Sequence, residues 1–296
     1  MSDQPVTGRG EARILDRGYR RYDGPRRGVG GAISTLTVHS IQRALGLRRS
    51  VWAKLLPFGG VLIAFLPAVV FVGVVALIPL DDIGVNFVPD YGDYYGYIIA
   101  AIMVFVALVA PEVLCTDRRS GMLGVYLASP LDRDTYLVGK ALAIGFVLSL
   151  VCIGPTLLLL VANVLQNQGP EGATDIVITL LRVVGAGLAV TLLYTSITMG
   201  IASLTDRKSV ASASIILVFL IMLMVTGILT AEGDFNGINV LSITLLSLDI
   251  AQRIHGEQSS VMRDTSTGLV WLAWAIWTVG GFTLARVRLH ALAVTR

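Results

Sequence analysis

Charge is scarce in this chain. Only 15% of its 296 residues are Asp, Glu, Lys or Arg, against roughly 25% in an ordinary soluble domain. A water-facing surface for a protein of this length cannot be assembled from so few. Cysteine is scarcer still: Cys115 and Cys152 stand alone with no C-x-x-C spacing, which excludes a disulfide scaffold and a thiolate metal site. The three histidines, His39, His255 and His290, are scattered. Neither H-E-x-x-H nor G-x-S-x-G occurs, so metal-assisted and serine-nucleophile chemistry have no visible constellation. Gly139-Lys140 fails the phosphate-loop template, which needs Gly where Asp134 stands and Ser or Thr where Ala141 stands. The first 50 residues show no apolar leader followed by small residues, so the first long apolar run is the expected targeting signal.

What fills the chain instead is apolar length. Uncharged runs extend over Leu55–Leu80, Tyr94–Pro111, Ala141–Pro170, Val183–Thr205, Ser209–Ala231 and Thr265–Ala285. About 20 apolar residues in a helix cross the roughly 30 Å hydrocarbon layer, and runs this uniform do not alternate as barrel strands do. The reading is an all-α integral membrane protein with spans at about 55–80, 94–115, 138–164, 176–204, 209–231 and 266–287. Its 31 glycines suit close helix packing in lipid. Of 23 Lys and Arg, 20 fall before the first span, within Thr116–Lys140, at Asp206–Lys208 or after Ala285. The positive-inside rule then places both termini on the cytoplasmic side of a cell membrane. The alternate loops carry acids, among them Asp81, Asp82, Asp90, Asp93, Glu232 and Asp234. The net charge of +3 is therefore an asymmetry across a bilayer and argues nothing for nucleic acid.

Residues 1–31 hold seven glycines, two prolines and seven arginines, too little apolar material for a core. Gly18-Tyr-Arg-Arg-Tyr-Asp-Gly-Pro-Arg-Arg27 suits anionic headgroups, an acidic patch on a partner, or a solvated tail that enforces topology. The membrane domain is then 32–296. From Ala32 to Arg49, Ile33, Leu36, Ile41, Ala44 and Leu45 share a helical face opposite Thr35, His39, Gln42, Arg43 and Arg49. That pattern predicts an elbow helix in the inner interface, with Trp52 as a belt residue. In the large outer segment Glu232–Asp264, the apolar Leu241, Leu245, Leu248 and Ile254 against the polar Asp249, Gln252 and Arg253 predict a short helix resting on the outer leaflet. Tyr91, Tyr94, Tyr95 and Tyr97 read as an outer aromatic belt.

Two ions sit in or beside apolar runs and are candidates for gating or the substrate path. Glu112 either gates or pairs with Arg118 or Arg119, and Arg182 either functions within the membrane, snorkels outward or pairs with Asp175. Pro67 and Pro155 join them, because each would kink a span where helices rock.

The turn between spans 2 and 3 is the most telling stretch. Asp117-Arg-Arg-Ser-Gly121 precedes Met122-Leu-Gly-Val-Tyr-Leu-Ala-Ser-Pro130, so Gly121 and Pro130 bracket eight residues, about two helical turns. Met122, Leu123, Val125, Tyr126 and Leu127 are too much apolar surface for a turn in water without a partner. A helix that plugs into a groove on a soluble subunit and a turn that only closes a hairpin are the two readings the residues leave. Continued by Leu131-Asp-Arg133 and Tyr136-Leu-Val-Gly-Lys140, the stretch resembles the signature of ABC-2 type permeases, the transmembrane subunits of ATP-binding-cassette exporters. In that family a charged triplet and a glycine precede a short helix ending near a proline, and a Gly-Lys pair leads into span 3. The resemblance extends to the six-span layout, the elbow helix and Ser203-Leu-Thr-Asp-Arg-Lys208, nearly the whole chain from about Ala32. Asp117 and Arg119 depart from it, standing where the family often has glutamates.

The resemblance implies a coupling helix through which Asp117, Arg118, Arg119, Gly121, Met122, Leu123, Tyr126, Leu127 and Pro130 engage an ATPase. It implies no catalytic residue, metal or cofactor in this chain: ATP and Mg2+ would belong to two separate ATPase subunits. A second permease copy or a paralogue would complete a path for a hydrophobic or amphiphilic substrate. An intramembrane enzyme and a non-transporting sensor or maturation factor are the rival readings.

Overall fold

The computed structural model describes residues 24, 28–47, 51–77, 89–231 and 236–292. Most of the basic N-terminal motif, Arg49, the Trp52 side chain, residues 78–80 and the acids Asp81, Asp82, Glu232 and Asp234 lie outside what is described. The described elements are all helical: α1 Gly28–Ala44, α2 Val51–Leu77, α3 Tyr94–Arg119, α4 Met122–Leu127, α5 Arg133–Cys152, α6 Gly154–Leu165, α7 Ala173–Ala202, α8 Lys208–Ala231, a 3-10 turn at Asn236–Leu241, α9 Ile243–His255 and α10 Thr267–His290. Six of these segments are long and apolar enough to cross a membrane: α2 from Lys54, α3, α5 with α6, α7, α8 and α10. The third begins at Arg133, earlier than expected, because Asp132 starts it with its own N–H bonded to the Thr135 hydroxyl at 2.7 Å.

α3 is buried along most of its length and forms one axis of the bundle, packed by α2, α5, α7 and α8. α7 forms the other, holding α5, α9 and α10. α2 and α8 bury little and turn rows of Leu, Ile, Val and Met outward, as helices facing lipid do. One end of the bundle carries the turn with Arg118, Arg119 and Arg133, and the other carries Asp90, Asp93 and Glu257. They are called the basic and acidic ends below.

The two prolines singled out in the sequence sit differently: α2 runs on through Pro67, and Pro155 stands in the first turn of α6, just after α5 ends. Pro67 has no N–H to give to the helical ladder. The Tyr94 hydroxyl lies against this stretch of α2, donating to the Ala64 carbonyl at 2.9 Å and accepting the Ala68 N–H at 3.1 Å. Pro155 separates α5 from α6, and the Tyr95 hydroxyl donates to the Cys152 carbonyl at 2.9 Å. Tyr94 and Tyr95 are thus buried plugs at 0% and 1% exposure, not the belt residues expected. Of the four, Tyr97 faces outward at 57% and Tyr91 is half-buried. Alternate residues near a helix start point to different sides, so a tyrosine cluster need not share a face. Tyr94→Phe should cost about 1–3 kcal/mol, because it leaves a backbone donor and acceptor unpaired in an apolar surround. The unfolding midpoint of the purified protein measures it, and an unchanged midpoint would show that α2 closes its own ladder.

The outer segment also departs from expectation. α9 does not rest on a leaflet: it climbs from the interior of the bundle to the acidic end. Thr244 donates to Met103 Sδ, nine residues into α3, and Ser247 meets Tyr194 of α7 at 3.3 Å. His255 at its other end stacks on Tyr91. The residues that read as its wet face are buried because they satisfy one another. Asp249 pairs with Arg253 at 2.6 Å, and Gln252 donates to Asp93 at 2.6 Å and to Ser260 at 2.8 Å. Arg182 belongs to the same arrangement. It is exposed and donates to the His255 carbonyl at 2.9 Å, capping α9.

Candidate functional site

The turn that carried the resemblance folds as a bracket at the basic end. α3 runs out to Arg119, Gly121 takes φ +70, and α4 follows at once. A residue with a side chain is strained in that left-handed conformation, so glycine is what lets α4 start there. Ser129 and Pro130 are exposed beyond α4, and α5 begins at Arg133.

The charged triplet splits three ways, since each residue of a helix turns about 100° from the last. Asp117 points inward and is 0% exposed. Its carboxylate pairs with Arg43 of α1, lies 2.6 Å from Lys140 Nζ of α5 and accepts the Tyr136 hydroxyl at 3.1 Å. Arg118 points to the end of α7, where Nη1 donates to the carbonyls of Ser203 and Thr205 at 2.6 and 3.0 Å, which the helix terminus leaves without intrahelical donors. Arg119 alone is exposed, beside a recess of about 560 Å³ that Asp206, Arg207 and Lys208 also line. The expectation that Asp117 sits on a contact surface is therefore corrected: it is the buried anchor of the turn. Glu112, one turn further in, pairs with Lys208 at the start of α8.

Lys140 completes the anchor, and sequence reasoning missed it. It is 1% exposed, donates to the Ser40 hydroxyl of α1 at 2.9 Å, and stands 5.5 and 5.4 Å from the ring centres of Tyr126 and Tyr136. Four elements, α1, α3, α4 and α5, thus meet on one ion cluster whose charges are paired and hydrogen-bonded, the condition for keeping ions out of water. The signal was present: a cation seven residues into a helix that continues apolar is costly unless it has a partner. Burial, and then the charge of Asp117, push the Tyr126 hydroxyl up from its ordinary value, so it stays neutral against the cluster.

α4 divides into two faces over this anchor. Leu123 is buried, and Tyr126 and Leu127 pack partly against the core. Met122 and Val125 are turned out, at 38% and 62% exposure. Of the residues expected to form a docking face, Met122 lies on it, Leu123, Tyr126 and Leu127 hold the helix down, and Val125 is the more exposed of the two apolar groups offered.

Comparison with curated proteins finds no match. The family model described as ABC-2 family transporter protein matches residues 26–291, from just before α1 to the end of α10. It covers the six spans, the anchored turn and the helix inserted between spans 5 and 6, and on that extent the chain belongs to the ABC-2 transporter family.

Proposed function

We propose that this chain is the permease subunit of an ATP-driven exporter, moving a hydrophobic or amphiphilic substrate across the cell membrane by alternating access. The basic end is the cytoplasmic one, in line with the concentration of Lys and Arg there. Two separate subunits bind ATP with Mg2+, and a second permease copy or a paralogue packs on the little-buried α2 and α8 faces to enclose the path. The observation that carries this reading is α4, a six-residue helix offering Met122 and Val125 outward while its inner face is bolted to an ion cluster shared with α1, α3 and α5. An exposed apolar knob on a rigid mount suits the transmission of force from a soluble partner. The neighbouring cationic recess at Arg119, Arg207 and Lys208 suits an acidic rim on that partner.

Nucleotide-driven closure of the ATPases would draw α4 sideways, and the Asp117 cluster would carry the displacement into α1, α3 and α5 together. Pro67 within α2 and the α5–α6 junction at Pro155 are where the spans bend, with Tyr94 and Tyr95 following from the start of α3. The test is the double substitution Met122→Asp with Val125→Asp. It places charge in the apolar contact but leaves the inward residues alone, so membrane insertion and unfolding temperature should hold while substrate-stimulated ATP hydrolysis by the copurified complex falls several-fold or more. Undiminished transport in proteoliposomes would sink the docking role of α4.

A further inference from the structure

At the acidic end the start of α3 is capped from a distant part of the chain. The Tyr94 N–H already closes on the Asp90 carbonyl at 3.0 Å, so the N–H groups of Gly92 and Asp93 in that turn have no helical partner. The Asp93 side chain, which would ordinarily serve, makes no capping bond and is held by Gln252 of α9 at 2.6 Å. Glu257 takes its place, with Oε1 accepting the Gly92 N–H at 2.8 Å and Oε2 the Asp93 N–H at 3.1 Å. Its own backbone is set by the end of α9, where Gly256 turns the chain with φ +80 and the Glu257 N–H closes on the Gln252 carbonyl at 2.9 Å. Gly92 lets the two segments come this close, since a Cβ there would collide with Glu257 Oε2 and lie 2.7 Å from Gln252 Cα.

This is a poor place for a negative charge. Glu257 is half-buried, and Asp90 and Asp93 of the same turn are acids too. Burial first, and then those two charges, raise its carboxyl from the ordinary 4.5 to about 7 against the pull of the two N–H groups. The nearby cations are engaged elsewhere: Arg253 of α9 is turned to Asp249, and Arg182 of α7 to the His255 carbonyl. Arg263 and Asp264, further along the loop, are exposed. His255, stacked on Tyr91, is pushed down to about 4 by burial and then by Arg182, so it stays neutral where Glu257 titrates. Tyr91 bonds Asn163 of α6, and burial raises its hydroxyl above an already alkaline value.

We propose that Glu257 is a proton-operated clasp between the start of α3 and the loop from α9 to α10, tight when the carboxyl is neutral and loosened when it ionises. A neutral carboxyl keeps an oxygen for a backbone N–H, gains an O–H donor and removes one of three like charges from the turn. Because the folded value is raised, the stabilising contribution is full below about 4.5 and is lost as pH rises through about 7. The loop has ties of its own, from the Ser260 N–H to Gln252 at 3.0 Å and from Ser259 to Asp249, so ionisation frees the start of α3 from the loop and leaves the loop on α9. α3 is the axis that continues to Asp117, and the clasp sets from the far end how firmly that axis is held. The clasp stands on the geometry of the acidic end and not on the transporter reading, which supplies only that the proton comes from outside the cell.

Hydrogen exchange of the full chain in nanodiscs tests it, read on the peptide that carries Gly92 and Asp93 as protection relative to the unstructured rate at the same pH. Protection in the native chain should fall about fivefold between about pH 6 and about pH 8, half of the roughly tenfold that a carboxyl raised from 4.5 to about 7 would give, because water partly screens a half-buried group. Glu257→Gln has the shape of the neutral carboxyl, so it should be protected equally at both values and as well as the native chain at the lower one. Asp90→Asn removes one opposing charge, and its fall should come at lower pH than in the native chain. Native protection that is equal at both values overturns the proposal, as does a fall that survives in Glu257→Gln. A fall of the same size along α7 and α9 also overturns it, because the whole bundle and not the clasp would then be responding. Should Glu257→Gln not fold, Asp90→Asn decides, and an unmoved pH midpoint in that variant sinks the clasp.

Discussion

Asp117→Ala should cost the protein about 3–5 kcal/mol, the penalty for removing one partner of a buried ion pair. The carboxylate is fully enclosed and holds Arg43, Lys140 and Tyr136 at once. Without it Lys140, also enclosed, keeps only a hydroxyl from Ser40 and the faces of two tyrosines among the contacts described. An ammonium in that surround either loses its proton or pulls the turn open to water, and α1 and α4 lose their common mount in both cases. Asp117→Leu with Lys140→Met removes both charges and fills the space with apolar volume, so stability should return to within about 1–2 kcal/mol of native. Transmission should not return with it, because Arg43 of α1 then has nothing to hold. Unfolding of the purified variants, read beside ATPase stimulation of the complex, separates the two effects. A single alanine variant within about 0.5 kcal/mol of native, the range of ordinary surface changes, would show that the cluster is ornamental.

That cluster marks the limit of what the sequence discloses. The six spans were legible because lipid leaves the backbone one solution, a helix of fixed rise and minimum length, and run length alone reports it. The Gly121–Pro130 bracket was legible for a similar reason, since glycine and proline constrain the chain locally. The direction of a side chain was not. Asp117, Arg118 and Arg119 are consecutive and similar in character, yet one is entombed, one caps α7 and one faces out, and rotation about the helix axis is set by tertiary packing. α9 misled for the converse reason. Its alternation of polar and apolar positions is real, but Asp249, Gln252 and Arg253 find partners in Asp93, Ser259 and Ser260, brought by other segments. Amphipathicity tells that a polar face needs satisfying, not whether water or protein does it. Tyr94 and Tyr95 show the same blindness, because their partners are backbone groups beside prolines in other helices.

Gly281→Ala should cost about 3 kcal/mol, the upper part of the usual range for overpacking. A Cβ there would lie 2.5 Å from the Ser196 carbonyl carbon, 2.6 Å from its oxygen and 2.8 Å from the Ile197 nitrogen. These are backbone atoms of α7, which cannot swing aside as the tip of a long side chain can, so α7 and α10 must part along their shared length. The facing position is nearly as tight, with a Cβ on Gly200 3.0 Å from the Gly281 carbonyl oxygen, as expected where small residues let two membrane helices touch main chain to main chain. The neighbouring Gly280 supplies the control: a Cβ on it meets nothing within 4 Å, and Gly280→Ala should be neutral or slightly stabilising, since alanine is the better helix former. Parting α10 from α7 also strains the bridge between Arg286 of α10 and Asp134 of α5, 2.9 and 2.8 Å long. The Gly281 variant should therefore lose stability, while the Gly280 variant does not. Equal unfolding temperatures for the two alanine variants would mean that α7 and α10 are not held at this distance by glycine.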